Sequence, residues 1–146
     1  MENFRHKIFV KVQFHEVDMV GVCNNAVYFN YFETARLEYL KSIGYEKDIK
    51  EVGKKKEFFL IAHNDCDYIE PAFYDDELTI FTRVSFTKNS SFGFEHIIKN
   101  QKTRRIIAKG SGVMVYIGWD NKKSIPLPEE FIDAVNSFEK TETVNQ

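Results

Sequence analysis

The 146-residue chain has little of what marks a secreted, membrane-spanning or nucleic-acid-binding protein. It holds two cysteines, Cys23 and Cys66, and its first ten residues, MENFRHKIFV, contain no hydrophobic signal segment. Reduced thiols in a cytoplasmic protein are therefore expected. No apolar run approaches the roughly 18 residues of a membrane span. The formal net charge of −2 lacks the basic excess of a protein that grips nucleic acid. The four histidines, His6, His15, His63 and His96, stand at no ligand spacing with one another or with the cysteines, which leaves no candidate metal site. No repeat or linker interrupts the chain, and its length suits a single domain over 1–146.

Aromatic residues are abundant. Fourteen Phe and seven Tyr predict a thick core, an apolar ligand channel, a large interface, or several of these. Residues 7–15 alternate, with Ile8, Val10, Val12 and Phe14 on one face, which is the period of a strand. Residues 28–43 follow a helical rhythm. Tyr28, Phe32, Ala35 and Tyr39 form one stripe, and Phe29, Tyr31, Leu40 and Ile43 widen it. Gly44 stands where a helix-ending glycine belongs. The lysine-rich stretch 45–56 reads as a surface connection or short helix. Strands are predicted over 57–69, 77–87, 91–100 and 104–118, with turns at 71–76, 88–90 and 101–103. The small residues Ala108, Gly110 and Gly112 predict that something passes close over one face of the last strand. An amphipathic helix is predicted over 128–140, and residues 141–146 are expected to fray. One helix followed by four strands favours an α+β chain in which an antiparallel sheet curls around a long central helix.

Between the first strand and that helix lies a turn with one carboxylate, Asp18, one glycine, Gly21, and two asparagines, Asn24 and Asn25. A carboxylate beside the open N–H groups of a helix start can serve a hydrolytic site, the acid as base or nucleophile and the amides as oxyanion donors. Asp18 can equally cap its own turn, and Asn24 or Asn25 can cap the helix. Gly21 can serve the substrate's approach or only the turn. Glu33 and Arg36, three apart, can form an ion pair. Cys23 has no nearby histidine in the motif to activate it and reads as a small apolar residue.

The segment Asp18-Met-Val-Gly21-Val-Cys-Asn-Asn25-Ala-Val-Tyr28, followed by Tyr31-Phe32-Glu33-Thr-Ala35-Arg36, resembles the hotdog-fold acyl-CoA thioesterases of the 4-hydroxybenzoyl-CoA thioesterase type. Asp67-Tyr68-Ile-Glu-Pro71-Ala72 with Asp76-Glu-Leu78, and Ala108-Lys-Gly110 leading into Val113-Met-Val115, are similar to later motifs of the same family. The resemblance covers about residues 6–130. It implies a hotdog fold, a homodimer or homotetramer, and hydrolysis of an acyl-CoA or acyl-carrier-protein thioester without a cofactor. Carried over residue by residue, it implies catalytic roles for Asp18, Gly21 and the backbone N–H at Asn25. It implies substrate contacts from Val22, Cys23, Tyr28 and Phe14, and from Ser90 and Ser91 near the pantetheine arm. Lys88, Arg104, Arg105, Lys122 and Lys123 could meet the phosphates of CoA, or serve as plain surface charge.

The chain departs from the family pattern twice, with Phe14 where many relatives have Tyr and Asn25 where many have His. Phe14 cannot donate a hydrogen bond, and Asn25 cannot transfer a proton at neutral pH. A non-catalytic acyl-CoA-binding hotdog protein therefore stands as an alternative. An enoyl-thioester hydratase or dehydratase is a further one, although residues 28–43 contain no histidine for it.

Overall fold

The computed structural model describes residues 3–45, 57–120, 122–140 and 144–145. Alternating residues form β1 (His6–Lys11), with Ile8 and Val10 turned toward the core. A short 3-10 turn at Phe14–Glu16 leads to α1 (Val27–Ser42). Four long strands follow: β2 (Glu57–Tyr68), β3 (Glu77–Thr87), β4 (Ser91–Asn100) and β5 (Ile106–Gly118). Helix α2 (Glu129–Glu139) and a two-residue strand, β6 (Val144–Asn145), close the chain. The strand order is β1-β3-β4-β5-β2, antiparallel throughout, with β6 parallel to β3 at Phe86–Thr87. This is the predicted hotdog architecture, a sheet wrapped on α1.

One rung crosses the sheet: Ile8 pairs with Ile80, Ile80 with Ile98, Ile98 with Ala108, and Ala108 with Tyr68. The inward side chains of this rung and its neighbours receive the first half of α1, through Tyr28, Tyr31, Phe32 and Ala35. The second half of α1, through Tyr39 and Leu40, packs with Phe92, Phe94 and the apolar side of α2, Phe131 and Val135. Burial of Tyr28, Phe32, Ala35 and Tyr39 to 2% exposure or less matches the predicted stripe. The close approach over β5 is also present. A Cβ built on Gly110 would lie 2.3 Å from the Phe32 ring, and one on Gly112 would lie 2.4 Å from the Arg36 guanidinium. Only hydrogen at these two positions lets α1 sit so low on the sheet.

Tyr45 N–H bonds the Leu40 carbonyl and Gly44 N–H bonds that of Lys41, so Gly44, at φ +91°, ends α1 in a Schellman motif. The helix start differs from expectation. Neither Asn24 nor Asn25 caps it. Ala26 holds the N-cap position without a side-chain bond, and turn bonds from Val27 and Tyr28 N–H to the carbonyls of Asn24 and Asn25 lead in.

β1 is shorter than predicted because its partner β3 begins at Glu77, opposite Lys11. Val12 is still buried, but Phe14 swings out to 78% exposure. The frayed end expected over 141–146 is replaced at Val144–Asn145 by pairing with β3. The surface connection expected over 45–56 falls almost wholly outside the described residues.

Arg36 turns inward rather than toward Glu33, which stays exposed. Its Nε donates to His96 Nε2 at 3.0 Å and its Nη2 to Asn64 Oδ1 at 2.7 Å. His96 Nδ1 faces Thr82 Oγ1 at 3.0 Å, and the ring stacks on Phe32 with centroids 4.5 Å apart. Because His96 Nε2 accepts from a cation, the ring is neutral and its Nδ1–H donates to Thr82. Burial first, and Arg36 second, hold His96 well below its usual pKa, and burial lowers His6 as well. The unfolded chain takes up protons on these rings near pH 6.5, while the folded chain resists until lower pH. Their stabilising contribution is therefore complete above about pH 6.5 and declines as pH falls through the folded values. Unfolding free energies from urea titrations are expected to drop between pH 7 and pH 5, by up to about 1.4 kcal/mol per pH unit through His96 and by a smaller amount through the half-buried His6. A flat profile over that range would remove the argument.

Candidate active site

The loop from Gln13 to Asn24 is held by its own backbone. Val17 bridges Cys23, Asp18 N–H bonds Val22 O at 2.9 Å, and Gly21 N–H bonds Asp18 O at 3.0 Å. Gly21 has φ +82°, a region costly for residues with a Cβ. The loop is tied to the 71–76 turn through Cys23 N–H to Ala72 O at 2.8 Å and Tyr74 N–H to Gly21 O at 3.0 Å. It is tied to α1 through Tyr31, whose hydroxyl donates to Glu16 Oε1 at 2.8 Å. The same oxygen accepts Gln13 N–H, and the Glu16 carbonyl accepts Asn24 N–H.

Asp18 lies exposed at the tip. Its Oδ1 accepts N–H bonds from Val20 at 2.9 Å and Val22 at 3.1 Å, which fixes the carboxylate's direction. Among the described residues nothing bonds Oδ2. Val22 lines a cleft of about 210 Å³ together with Cys23, Asn25, Tyr28, Tyr68, Ile69, Glu70 and Pro71. Tyr28 and Tyr68 form part of its wall, their rings 5.4 Å apart, and the Tyr68 hydroxyl donates to the Asn25 carbonyl at 3.1 Å. Among the described residues no acceptor meets the backbone N–H of Asn25 or Ala26. Burial pushes the Cys23 thiol up and the Cys66 thiol up to about 11, so neither is a thiolate at neutral pH. Among the described residues no three His, Cys, Asp or Glu side chains group to hold a metal ion.

The cleft thus gathers Val22, Cys23, Asn25 and Tyr28, with Asp18 one hydrogen bond away through Val22. Phe14 stands apart from it, edge-on to Tyr74 at 5.7 Å. Ser90 and Ser91 also stand apart. Ser91 begins β4 and Ser90 precedes it, whereas the cleft lies at the other end of the sheet, beside the end of β2 and the start of β5. Of the candidate cations, Arg105 pairs with Glu70 on the cleft wall. Lys88 and Lys122 lie over the rings of Phe86 and Trp119, at the Ser90 end. Sequence reasoning gave no site role to Tyr68, Ile69, Glu70 or Pro71, although the Asp67–Ala72 motif carries all four. It also gave none to the Glu16–Tyr31 tie, which joins two segments by a side-chain contact that no spacing encodes.

Residues 12–135 match the Thioesterase-like superfamily. The chloroplastic acyl-acyl carrier protein thioesterase ATL3 of Arabidopsis thaliana is 33% identical over 117 residues, which is 80% of this chain and 60% of that relative. The chain therefore spans about three-fifths of the plant protein's length. The solved structure of a thioesterase from Thermus thermophilus complexed with coenzyme A and Zn has a TM-score of 0.82 at 31% identity, covering 96% of this chain and 98% of that one. A 1,4-dihydroxy-2-naphthoyl-CoA thioesterase from Synechocystis shares the fold, with a TM-score of 0.83 at 18% identity over 89% of this chain and 94% of that one.

Proposed function

The chain belongs to the thioesterase-like superfamily, and from that premise we propose that it hydrolyses acyl or aroyl thioesters of coenzyme A or of a carrier protein in the cleft at the start of α1. The observation that carries this reading is the pair of backbone N–H groups at Asn25 and Ala26, left without acceptors among the described residues beside a loop that presents a carboxylate. The thioester carbonyl oxygen would receive the N–H of Asn25. Asp18, through its open Oδ2, would take a proton from the attacking water. The tetrahedral oxyanion would then collapse, the C–S bond would break, and the leaving thiolate would be protonated to give free acid and thiol. Direct attack by Asp18 on the carbonyl, followed by hydrolysis of the resulting anhydride, gives the same products.

Strand β2 supports a two-fold assembly. It is an edge strand, and Leu60 and Ile61 on it remain 49% and 40% exposed. Such an edge invites a second copy. Pairing two β2 strands antiparallel would set the Tyr68 end of one copy beside the Glu57 end of the other, the end at which the other copy's Ser90 and Ser91 lie. The two serines could then serve the partner's thioester arm. Light scattering at micromolar concentration is expected to return a dimer or tetramer, and a monomer mass would remove this part of the reading.

A panel of acyl-CoAs with detection of free thiol tests the activity. Release is expected from uncharged acyl and aroyl thioesters, with lower kcat/KM for malonyl-CoA, because the cleft wall is largely aromatic and apolar. Binding without release would favour the non-catalytic reading.

A further inference from the structure

The outer face of the sheet, away from α1, carries a second concavity. It is an open groove of about 370 Å³ between β1, β3 and the end of β4. Phe9 and Phe81 line it, with Lys7, Lys99, Gln101 and Arg104 around them. Phe9 is 64% exposed, an unusual place for a phenylalanine. No carboxylate lines the groove, and among the described residues none lies within 4 Å of the Lys7, Lys99 or Arg104 cations. Lys7 instead stands 5.7 Å from the Phe9 ring centre.

The rim is built rather than loose. Asn100, 8% exposed, accepts the N–H of Lys102 and Thr103 through its side chain and that of Arg104 through its carbonyl. Gln101 bonds the carbonyls of Glu77 and Leu78. Arg104 therefore projects from a fixed turn. The next residue, Arg105, pairs with Glu70 on the wall of the thioester cleft. Groove and cleft flank one β4–β5 turn.

Two exposed cations, Lys7 and Arg104, and the half-buried Lys99 around the exposed Phe9 ring suit a protein partner better than a small anion. The buried polar residues on its lining are Thr79 and Asn100, and the Asn100 side-chain oxygen is already taken by the N–H groups of Lys102 and Thr103. Open charge of one sign steers an oppositely charged surface, and aromatic and Arg residues are the favoured anchors of such contacts. Resting on the thioesterase reading above, we propose that this groove docks an acidic acyl carrier protein, whose flexible arm then delivers the acyl thioester around the β4–β5 turn to the cleft. The partner contributes acidic side chains to Lys7, Lys99 and Arg104 and an apolar side chain to Phe9. The substrate class of the chain is then the carrier-bound thioester in preference to free acyl-CoA.

The test compares one acyl group on two carriers. The double variant K7E/K99E is assayed on an acyl carrier protein thioester and on the matching acyl-CoA. The expected result is a loss of at least about tenfold in kcat/KM for the carrier-bound substrate, steepest at low salt, with acyl-CoA turnover essentially unchanged. Equal loss on both substrates, or loss on neither, overturns the proposal. So does a change of oligomeric mass in the double variant, which would make the groove a contact between copies of this chain. Binding of the apo carrier protein, which lacks the arm, is measured in parallel by calorimetry. It requires no turnover, so it decides docking even if the wild-type chain cleaves no thioester and the thioesterase reading fails. Binding lost in the double variant supports the groove, and absence of binding to the wild type overturns it. Should the double variant not fold, F9S, which adds no charge, is expected to lower carrier binding alone, and unaltered binding would count against the groove.

Discussion

Asp18→Asn is expected to lower kcat by at least about a hundredfold while leaving KM nearly unchanged. The substitution is close to isosteric. The amide oxygen can keep both loop bonds, from Val20 and Val22 N–H, that now reach Oδ1. What disappears is the negative charge at Oδ2, which a base or nucleophile needs. Asn25→Ala is expected to be mild by comparison. Its side chain makes no hydrogen bond among the described residues, and the helix N-cap is Ala26. The proposed oxyanion donor is the backbone N–H, which alanine retains, so stability should move by no more than about 0.5 kcal/mol. Steady-state kinetics on one good substrate decide the matter. Near-normal turnover by Asp18→Asn together with abolished turnover by Asn25→Ala would reverse the roles assigned in this loop.

Phe32→Ala is expected to cost about 3–5 kcal/mol of folding free energy, because a fully buried ring leaves a cavity under α1. Gly110→Ala attacks the same contact from the other side. Its new Cβ would lie 2.3 Å from the Phe32 ring and 2.9 Å from the Asp65 carbonyl oxygen, overpacking worth about 1–3 kcal/mol. In the double variant the ring clash is gone and the methyl group fills part of the cavity. Its cost should fall short of the summed single costs by on the order of 1 kcal/mol, the mark of two residues that share one space. Urea unfolding of the four proteins measures this directly, and additive costs would show that the helix is not seated through this contact.

Local patterning made most of the fold legible. Period-two runs marked the strands, the Tyr28–Phe32–Ala35–Tyr39 stripe marked the buried side of α1, and the small residues of β5 marked where the helix lies. What misled were residues whose environment depends on distant partners. Phe14 continues the β1 alternation, yet β3 has no residue left to pair with it, so the chain turns and the ring meets solvent. Arg36 sits at ion-pair spacing from Glu33, yet Gly112 opens a space on the other side and His96 accepts its Nε. Within the candidate site, the Asp18 motif spans the loop and one wall of the cleft, Val22 to Tyr28, because these residues are contiguous. The cleft's second wall, Tyr68 to Pro71, comes from a segment some 45 residues away, and only its motif hinted at it. Ser90 and Ser91 lie far from the cleft within the chain, and only the two-fold pairing proposed above would bring them to a partner's cleft, a relation that no single sequence spells out.

The two hydrogen-only positions on β5 also act as an index for α1. A helix turns about 100° and rises about 1.5 Å per residue, so a rod free to roll would sweep its first amides through a wide arc. Phe32 over Gly110 and Arg36 over Gly112, one helical turn apart, are two pins in two slots, and together they allow one angle of roll and one position along the axis. Asn25 and Ala26 stand on the order of 10 Å up the chain from the first pin. The aim of their N–H groups is thus set on the far side of the core, by residues that do not line the cleft. Added side-chain volume at Gly110 or Gly112 would turn those N–H groups without replacing any residue that lines the cleft.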